Sequence, residues 1–468
     1  MTVSIGRVHS PGKAADYFAN DNYYTAEQSE AASVWMGEGS RDLGLSGTVE
    51  ASVFEKILDG KLPDGTQVNN PETRDYGRDF TFSMPKSASL LALVSGDTRI
   101  LAAHLQAVKE TMAWAEKNLA EARVHVGGKD VAVRTGNLVY ALFQHDTSRA
   151  TDPQSHIHAV IANLTRLPER FRKRDRVDPR TGEVISDNGW RAWHNGAMYP
   201  ASATLSSMAN AILREKLESL GYKTELSGKH GAFEILGPNG ERINKEALDG
   251  FSKRGNDIKA KAEALGVHSP EGRRAITQRT RDPKMNAGDR TELAERWRAE
   301  AREYRYNGDQ IYAMALAKSQ ERTSPIERGI RAVNTAVRET RGRLVDYLKR
   351  PEDPLVDSGL SKLTRTPPTA RAQYATASAI RILSEREAVF SKADVVKTAI
   401  DLGEKGVTPD RVERRIAELV EKGELVPETS QRLDKAVDMV TTREAIEQER
   451  RILKAMDIGA GEARPLMP

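Results

Sequence analysis

Three of the nine histidines in this 468-residue chain fall within fourteen positions, at His145, His156 and His158. His145 ends an apolar segment, NLVYALFQH, and the other two begin a second one, HIHAVIANLT; both segments are typical of buried strands. Residues two apart on a strand project to the same face. If the two strands pair, His145 joins that face, and three imidazoles converge as a first-row divalent ion requires.

The chemistry of such a centre follows from charge. Neutral imidazoles leave the +2 charge of the ion uncompensated, which suits an anionic substrate such as a phosphodiester, where charge develops on oxygen in the transition state. Surface or core histidines are the alternative, but three within so short a span favour a metal centre. An oxygenase or cupin-type three-histidine site is a more remote alternative, because it leaves the tyrosines below without a role.

Three tyrosines lie close together near the beginning of the chain, at Tyr17, Tyr23 and Tyr24 in ADYFANDNYYTAE. A tyrosine that attacks phosphorus forms a covalent phosphotyrosine, which conserves the bond energy for rejoining. The phenol pKa is about 10, so forming phenolate at pH 7 costs about 4 kcal/mol, and a nearby dication offsets that cost. Alone, such aromatics are typical of a core or an interface; beside a metal centre they become candidate nucleophiles.

The elements that must position these residues alternate between strands and helices. VSIGRV (3–8) and DFTFSM (79–84) alternate as strands do, and residues 100–120 repeat apolar positions as an amphipathic helix does. The polar turn DTSRATDPQS separates the two histidine segments, which predicts an antiparallel hairpin. GYKTELSGKHGAFEI predicts a second hairpin that turns between Gly228 and Gly231.

Composition narrows the class of protein. The chain is long enough for two or three domains, and 71 Lys and Arg against 67 Asp and Glu leave room for local basic patches. It has no cysteine, which excludes disulfides, thiolate zinc sites and cysteine nucleophiles. No phosphate-binding P-loop motif occurs, so we expect no nucleotide-driven motor. The sequence also has no apolar secretory leader and no apolar run of membrane length, so we expect a cytoplasmic protein.

The sequence predicts five segments. Residues 351–372 are rich in proline and read as a linker, and helix-start signals at Ser391 and Thr408 followed by KGELVP suggest a winged-helix-like module. The expected division is a mixed α and β domain at 1–265, a charged helical extension at 266–350, the linker at 351–372, the winged-helix-like module at 373–430 and a charged tail at 431–468.

Several motifs occur in a specific order along the first segment. The tyrosines are followed by DFTFSMPKS (79–87), FQHDTSR (143–149) and DPQSHIHAVIAN (152–163). Together they resemble the MobF-type conjugative relaxases, the family of F-plasmid TraI and TrwC within the HUH endonuclease superfamily, and His-Ile-His matches the signature of that superfamily. GYKTELSGKHGAFEI and FSKR (251–254) are also similar to the family, so the resemblance covers residues 1 to about 265.

This resemblance implies an α+β fold, in which helices flank a five-stranded antiparallel HUH palm sheet and a mostly helical extension follows. It implies that the three histidines bind a divalent ion, Mg²⁺ or Mn²⁺ by preference. Asp79 matches the acidic residue that hydrogen-bonds one of them and helps to accept the tyrosine proton. Tyr17 matches the primary nucleophile, and Tyr23 and Tyr24 match the pair used in a later strand transfer.

The sequence departs from the family at the tyrosines. The first pair is Tyr17–Phe18 rather than two tyrosines, and the spacing to the second pair is one residue short, so the choice of second nucleophile stays open. Longer relatives continue into a helicase, and residues 310–430 weakly resemble the segment before it. The chain is thus expected to be either a shortened form or a fragment.

The activity implied by the resemblance is nicking of one DNA strand at a plasmid origin of transfer, formation of a 5′-phosphotyrosine adduct, and rejoining after transfer. The implied partners are single-stranded DNA, relaxosome accessory proteins and the coupling protein of a type IV secretion system. Two alternatives stay open at this point. One is a rolling-circle replication initiator, which uses the same chemistry, and the other is a non-catalytic DNA-binding scaffold.

Candidate DNA contacts are basic. Lys86 and Arg149 lie inside the motifs. Each is expected to approach the scissile phosphate or, as the alternative, to brace the site by pairing with a nearby carboxylate. Arg191 lies between Trp190 and Trp193, a pattern that suggests base stacking next to a phosphate contact. A basic run after the second histidine strand is a further candidate for DNA contact, and a solvated loop is an equally good interpretation of it. The run consists of Arg166, Arg170, Arg172, Lys173, Arg174 and Arg176.

Overall fold

The computed structural model divides the chain into two compact units, unit 1 (Met1–Ser324) and unit 2 (Pro325–Pro468). The residues that it describes are 1–20, 33–68, 75–173, 176–177, 180, 184–185, 187–269, 272, 275–276, 290–323, 353–357, 365–432 and 435–459. Within these ranges, no helix has the length and apolarity that a membrane crossing requires. The finer division at residues 265, 350, 372 and 430 stays a prediction.

Unit 1 mixes strands and helices. Its strands are β1 (Thr2–Arg7), β2 (Ser33–Met36), β3 (Gly77–Ser83), β4 (Glu121–Val126), β5 (Lys129–Arg134), β6 (Tyr140–Thr147), β7 (Pro153–Ala162), β8 (Thr165–Arg166), β9 (Arg176–Val177), β10 (Val184–Ile185), β11 (Trp190–Arg191), β12 (Lys223–Leu226) and β13 (Phe233–Leu236). Its helices are α1 (Pro11–Asn20), α2 (Glu38–Asp42), α3 (Ala51–Leu58), α4 (Lys86–Leu93), α5 (Thr98–Leu119), α6 (Ser202–Ser219), α7 (Lys245–Gly250), α8 (Lys253–Ala264), α9 (Arg290–Glu303) and α10 (Gly308–Thr323).

A five-stranded antiparallel sheet forms the centre of unit 1. Its order is β1-β3-β7-β6-β2, so the strand that carries two of the histidines is the central one. The predicted pairing of the two histidine strands is confirmed, and β6 and β7 run antiparallel with His145 opposite His156. The predicted hairpin at 221–235 is also confirmed as β12 and β13. The expected α+β class, with helices flanking an antiparallel five-stranded sheet, is therefore correct.

The sheet is covered on both faces. An aromatic core that includes Phe18, Phe54 and Phe143 fills the face toward α1 and α3. Helices α4, α5 and α6 contact β7 and β1, and side chains such as Phe82 and Ile157 are fully buried. Because residues alternate between the faces of a strand, odd and even positions of the apolar strands are both buried. Two-sided burial explains why these strands read as continuous apolar runs.

Glu116 of α5 is a buried carboxylate that joins three elements. It accepts hydrogen bonds from the backbone amides of Glu38 at 2.8 Å and Leu138 at 2.7 Å, at the beginning of α2 and just before β6. Burial raises the pKa of the Glu116 carboxyl from 4.5 to about 7, although both hydrogen bonds favour ionisation. The folded protein therefore keeps this proton in a pH range where the unfolded chain releases it.

This proton makes unit 1 less stable as the pH rises. Between the two pKa values the unfolded state binds fewer protons, so the free energy of unfolding falls by up to about 3 kcal/mol as the pH rises from about 4.5 to about 7. Glu116→Gln keeps an acceptor oxygen and cannot ionise, so we expect a shallower pH dependence in urea denaturation. Glu110→Gln, on an exposed position of the same helix, is the control. Equal pH slopes for wild type and Glu116→Gln would contradict this account.

Unit 2 contains helices and a small sheet. Its elements are α11 (Pro367–Ser384), β14 (Val389–Ser391), α12 (Lys392–Asp401), α13 (Pro409–Glu421), β15 (Leu425–Arg432), β16 (Lys435–Thr442) and α14 (Arg443–Gly459). The strands form one antiparallel sheet of order β14-β16-β15. The winged-helix-like module stays a prediction. Both predicted helix starts are correct, because Ser391 Oγ accepts from the amide of Asp394 at 3.0 Å and α13 begins at Pro409.

A buried ionic cluster within unit 2 ties the proline-rich segment to α13. Asp357 accepts hydrogen bonds from Arg365 at 2.6 Å and from Arg415 of α13 at 2.8 Å, and the side chains of Asp357 and Arg415 are almost fully buried. Burial alone would raise the pKa of Asp357, but hydrogen bonds from Lys422 and Arg415 hold it well below its usual range. At these positions the segment predicted as a linker is packed against the module that follows it.

Candidate metal centre

The three histidines meet on one face of the two central strands. His145 on β6 lies directly opposite His156 on β7, and His158 lies two residues further along β7. Their candidate ligand nitrogens all lie within 4.8 Å of one another, and the ring centroids are 4.8 to 5.4 Å apart. His145 is fully buried and His158 is 6% exposed. The residue types, the strand register and the burial together form one compact donor set.

This donor set fits a divalent cation. An ion that binds imidazole nitrogens at about 2.1 Å keeps them about 3.4 Å apart, so small side-chain movements close the set around it. Three nitrogen donors from one protein face leave further coordination positions for substrate or water. Imidazole suits first-row divalent ions, and the set carries no negative charge of its own.

Hydrogen bonds fix two of the imidazoles. The Nδ1 atom of His158 lies 2.9 and 2.8 Å from the two carboxylate oxygens of Asp79, and Nδ1 of His156 lies 3.0 Å from the carbonyl oxygen of Gln154. Since a carboxylate and a carbonyl only accept, both Nδ1 atoms donate, and each Nε2 atom presents its lone pair. This is the tautomer that binds a metal.

Thr81 is a further member of the site that the sequence analysis missed. It lies directly opposite His158 on β3, and its hydroxyl is 3.3 Å from both Asp79 Oδ2 and His158 Nδ1. Asp79 and Thr81 are two residues apart on one strand, so their side chains share a face. The alternation in DFTFSM was therefore a signal for Thr81 once Asp79 had been chosen.

The protonation state of His156 also suits metal binding. Burial and the neighbouring His158 lower the pKa of His156 from 6.5 to about 4, against the opposing effects of the Gln154 carbonyl and Asp79. At neutral pH this ring is uncharged, as a metal ligand must be. At neutral pH, protons therefore do not compete with an ion for its nitrogen.

Asp79 provides a test of the hydrogen-bonded layer around the centre. Asp79→Asn keeps the size of the side chain but removes the charge that fixes His158, so we expect the affinity for Mn²⁺ to fall about 10- to 100-fold. Calorimetric titration of the metal-free protein measures it. Asp75→Asn is the matched control, since Asp75 pairs with Arg78. Unchanged Mn²⁺ affinity in Asp79→Asn would contradict the role assigned to this carboxylate.

Helix α1 runs beside the histidines. Phe18 packs on Phe143, with centroids 5.0 Å apart, and its ring also lies 5.0 Å from His158 and 6.2 Å from His145. Tyr17 is the preceding residue of the same helix, although its side chain lies outside the described residues, as do Tyr23 and Tyr24 entirely. The phenylalanine that replaces a tyrosine of the family pattern is thus part of the core at the edge of the cluster.

Lys86 braces the strand that carries the histidines. Its ammonium donates to the carbonyl of Pro153 at 3.0 Å, at the beginning of β7. Burial lowers the pKa of Lys86 to about 8, against the attraction of the nearby Asp152 carboxylate. Arg149 is partly buried in the turn between β6 and β7. The hydrogen bond of Lys86 is to a backbone carbonyl rather than to a carboxylate, and DNA contact by Lys86 or Arg149 stays a prediction.

The predicted basic run is partly tied to the protein itself. Arg172 donates to the carbonyl of Leu167 at 2.9 Å, Lys173 is exposed, and Arg174 lies outside the described residues. Arg191 forms an ion pair with Asp187 at 2.5 Å, and this hydrogen bond is the main reason that the pKa of Asp187 lies well below its usual range.

The prediction that Trp190 and Trp193 form a base-stacking platform around Arg191 is wrong. Trp190 and Trp193 are only 7% and 6% exposed, and Trp190 belongs to the same core cluster as Phe18, Phe54 and Phe143. Their rings fill the interior instead of presenting a face to a base. Tryptophan next to arginine is equally compatible with core packing and with nucleic-acid binding, so the sequence alone did not distinguish the two.

The comparison with known proteins adds to this geometry. The TrwC relaxase family model matches residues 11–304, which is more than half of the chain. This chain belongs to the TrwC relaxase family. The multifunctional conjugation protein TraI of Escherichia coli K12 is 35% identical to this chain over 299 residues. The aligned residues make up 63% of this chain and 16% of TraI. The chain therefore corresponds to a small part of the length of that relative.

Solved structures of TrwC relaxase agree with the fold of unit 1. A metal-bound structure of TrwC in complex with oriT DNA has a TM-score of 0.55 at 34% identity, covering 66% of this chain and all of that one. A TrwC complex with a 27-mer DNA that comprises the recognition hairpin and the cleavage site has a TM-score of 0.54 at 34% identity, with the same coverage. The resemblance inferred from the sequence motifs is thereby confirmed.

Proposed function

We propose that this protein is a conjugative relaxase that nicks one DNA strand at a plasmid origin of transfer and later rejoins it. The observation that carries the proposal is the set of three imidazoles, one of which is hydrogen-bonded to Asp79, beside the helix that contains Tyr17. Relatives of the same family support it, since TrwC has been solved with oriT DNA and with a metal bound.

The reaction is a transesterification at phosphorus. The phenolic oxygen of Tyr17 attacks the scissile phosphate, the bond from phosphorus to the 3′ oxygen breaks, and the 5′ end remains on the enzyme as a phosphotyrosine. The phenol loses its proton and the departing 3′ oxygen gains one, so the step is balanced. We assign Asp79 a part in accepting the tyrosine proton. The reverse reaction, with a 3′ hydroxyl as nucleophile, rejoins the strand.

The residues around the phosphate divide the remaining work. His145, His156 and His158 would hold a divalent ion, Mg²⁺ or Mn²⁺, which supplies charge for the phosphate oxygens in the transition state. Asp79 and Thr81 orient His158 from behind, and the Gln154 carbonyl orients His156. Phe18 packs against His158 on one side of the cluster. Tyr23 and Tyr24 are our candidates for the second strand transfer.

We further propose single-stranded DNA as the direct partner. Our candidate backbone contacts are Lys86, Arg149, Arg172, Lys173, Arg174 and Arg191. The logarithm of the binding constant should fall with the logarithm of the salt concentration, with a slope of about −0.7 per neutralised phosphate. Relaxosome accessory proteins and the coupling protein of a secretion channel are the expected further partners, in the cytoplasm of a bacterium. The kind of origin that is nicked would distinguish this function from that of a replication initiator.

Covalent capture tests the proposal and identifies the nicked sequence in the same experiment. The protein is incubated with Mn²⁺ and a pool of single-stranded DNA with a randomised region, and adducts that survive SDS are isolated and their DNA is sequenced. We expect metal-dependent adducts that share one cleavage sequence, and that sequence should lie in a transfer origin rather than a replication origin. A pool that yields no adduct although the protein binds Mn²⁺ and DNA would favour the scaffold instead.

A further inference from the structure

The turn between the two histidine strands has an unusual backbone. Thr151 has φ of 59°, in the left-handed region that β-branched residues rarely adopt. Inside the turn, the amide of Thr151 donates to the carbonyl of Ser148, and the amide of Ser148 donates to the carbonyl of Asp152, both at 2.9 Å. A conformation of this kind persists only when surrounding contacts hold it.

Helix α9 provides such contacts from more than 140 positions further along the chain. The indole Nε1 of Trp297 donates to the carbonyl of Thr151 at 2.9 Å, and the guanidinium of Arg296 donates to the Thr151 hydroxyl at 2.6 Å. Trp297 is 4% exposed, so its hydrogen bond is shielded from water. Two adjacent residues of one helix thus hold the carbonyl and the hydroxyl of the strained residue.

An ionic chain joins the same helix to the next residue of the turn. The buried carboxylate of Asp152 lies 3.7 Å from Lys253 Nζ of α8, and Lys253 in turn pairs with Glu300 of α9 at 2.7 Å. The carbonyl of Pro153 accepts from Lys86. Three consecutive residues, 151 to 153, are therefore fixed by side chains from three helices.

The turn lies directly next to an irregularity in the sheet. The register of β6 and β7 shifts between the pairs His145–His156 and Thr147–Pro153, so β7 has one extra residue there. A bulge of this kind aims the side chains beside it, and a slip by one residue would turn His156 to the opposite face. The turn thus adjoins the point at which the register that places His145 opposite His156 begins.

We infer that Arg296 and Trp297 are positioning residues for the metal centre, although neither touches it. They act through Thr151: by holding its left-handed backbone they keep the bulge in the form that brings His145 and His156 together. This inference rests on the proposed function, since it assigns these residues a role at the same metal site. By this inference α9, which the sequence analysis assigned to the charged extension, contributes to the geometry of the metal site.

The test is Mn²⁺ affinity, measured by calorimetry on the metal-free full-length protein. Trp297→Phe keeps an aromatic ring and removes the donor, and we expect about tenfold weaker Mn²⁺ binding. Trp193→Phe is the matched control, since Trp193 is equally buried and its Nε1 has no hydrogen-bond partner among the described residues. Arg296→Ala removes the exposed donor to the Thr151 hydroxyl without disturbing the core. Arg298→Ala, on an exposed position of the same helix, is its control.

A rescue distinguishes positioning from a general loss of stability. Glycine adopts the left-handed conformation without strain, so in a Thr151→Gly background we expect Trp297→Phe to weaken Mn²⁺ binding much less than in the wild type. Equal Mn²⁺ affinity for wild type, Trp297→Phe and Arg296→Ala overturns the inference, and so does an equal loss in both backgrounds. If His156→Ala leaves Mn²⁺ binding intact, the proposed function fails, and the inference fails with it.

Discussion

Tyr17→Phe is expected to reduce formation of the first DNA adduct by at least about a thousandfold, because the variant keeps the aromatic ring and lacks the attacking oxygen. The measurement is the single-turnover rate on the oligonucleotide that covalent capture identifies. Any residual adduct should be attached to Tyr23 or Tyr24. Mn²⁺ affinity should stay unchanged, since the phenol is not one of the three imidazole ligands.

Tyr199→Phe is the control for this substitution. Tyr199 is 55% exposed and so offers an accessible phenol, but no part of the proposed mechanism uses it. Its variant should form the adduct at the wild-type rate. The tyrosine mechanism is excluded if a protein with Tyr17, Tyr23 and Tyr24 all changed to phenylalanine still forms the full amount of adduct.

Removal of two imidazoles is expected to have an effect of similar size for a different reason. His156→Ala combined with His158→Ala leaves one donor of three, so we expect no measurable Mn²⁺ binding and a loss of several kcal/mol of transition-state stabilisation, about a thousandfold in rate. Calorimetry and the single-turnover assay report the two losses separately. The loss of Mn²⁺ binding and the loss of rate should both be found in this variant when they are measured at the same Mn²⁺ concentrations.

The matched control changes two exposed histidines, His125→Ala with His268→Ala. This variant loses as many imidazoles as the site variant and should bind Mn²⁺ and form adduct like the wild type. Normal adduct formation by the His156→Ala, His158→Ala protein in the presence of a chelator would mean that the reaction needs no metal at this place.

The metal centre was largely predictable because strand geometry is simple. A period of two residues places His156 and His158 on one face, and a polar turn of ten residues between two apolar runs predicts the pairing that adds His145. Asp79 came from the resemblance to a family. Its contact with His158 depends on the register between β3 and β7, and no local pattern in the sequence determines that register.

Other features depend on contacts between residues that are distant in the sequence. The hydrogen bond from Trp297 to Thr151 joins positions 146 residues apart, and nothing near either residue indicates it. The burial of Trp190 and Trp193 follows from how the sheet and its surroundings pack, whereas their spacing around Arg191 fitted a DNA-binding surface equally well. Asp357 is a further example. The proline-rich composition around it indicated a linker, whereas its carboxylate is buried in an ion pair with Arg415.

Mass spectrometry of the DNA-linked peptide tests the central claim most directly. After reaction with the captured oligonucleotide and Mn²⁺, proteolysis should release one peptide from the beginning of the chain, with the 5′ phosphate of the cleaved strand on Tyr17. A phosphate attached to a serine, a lysine or a tyrosine outside this segment, or a cleaved strand attached to no peptide, would contradict the account.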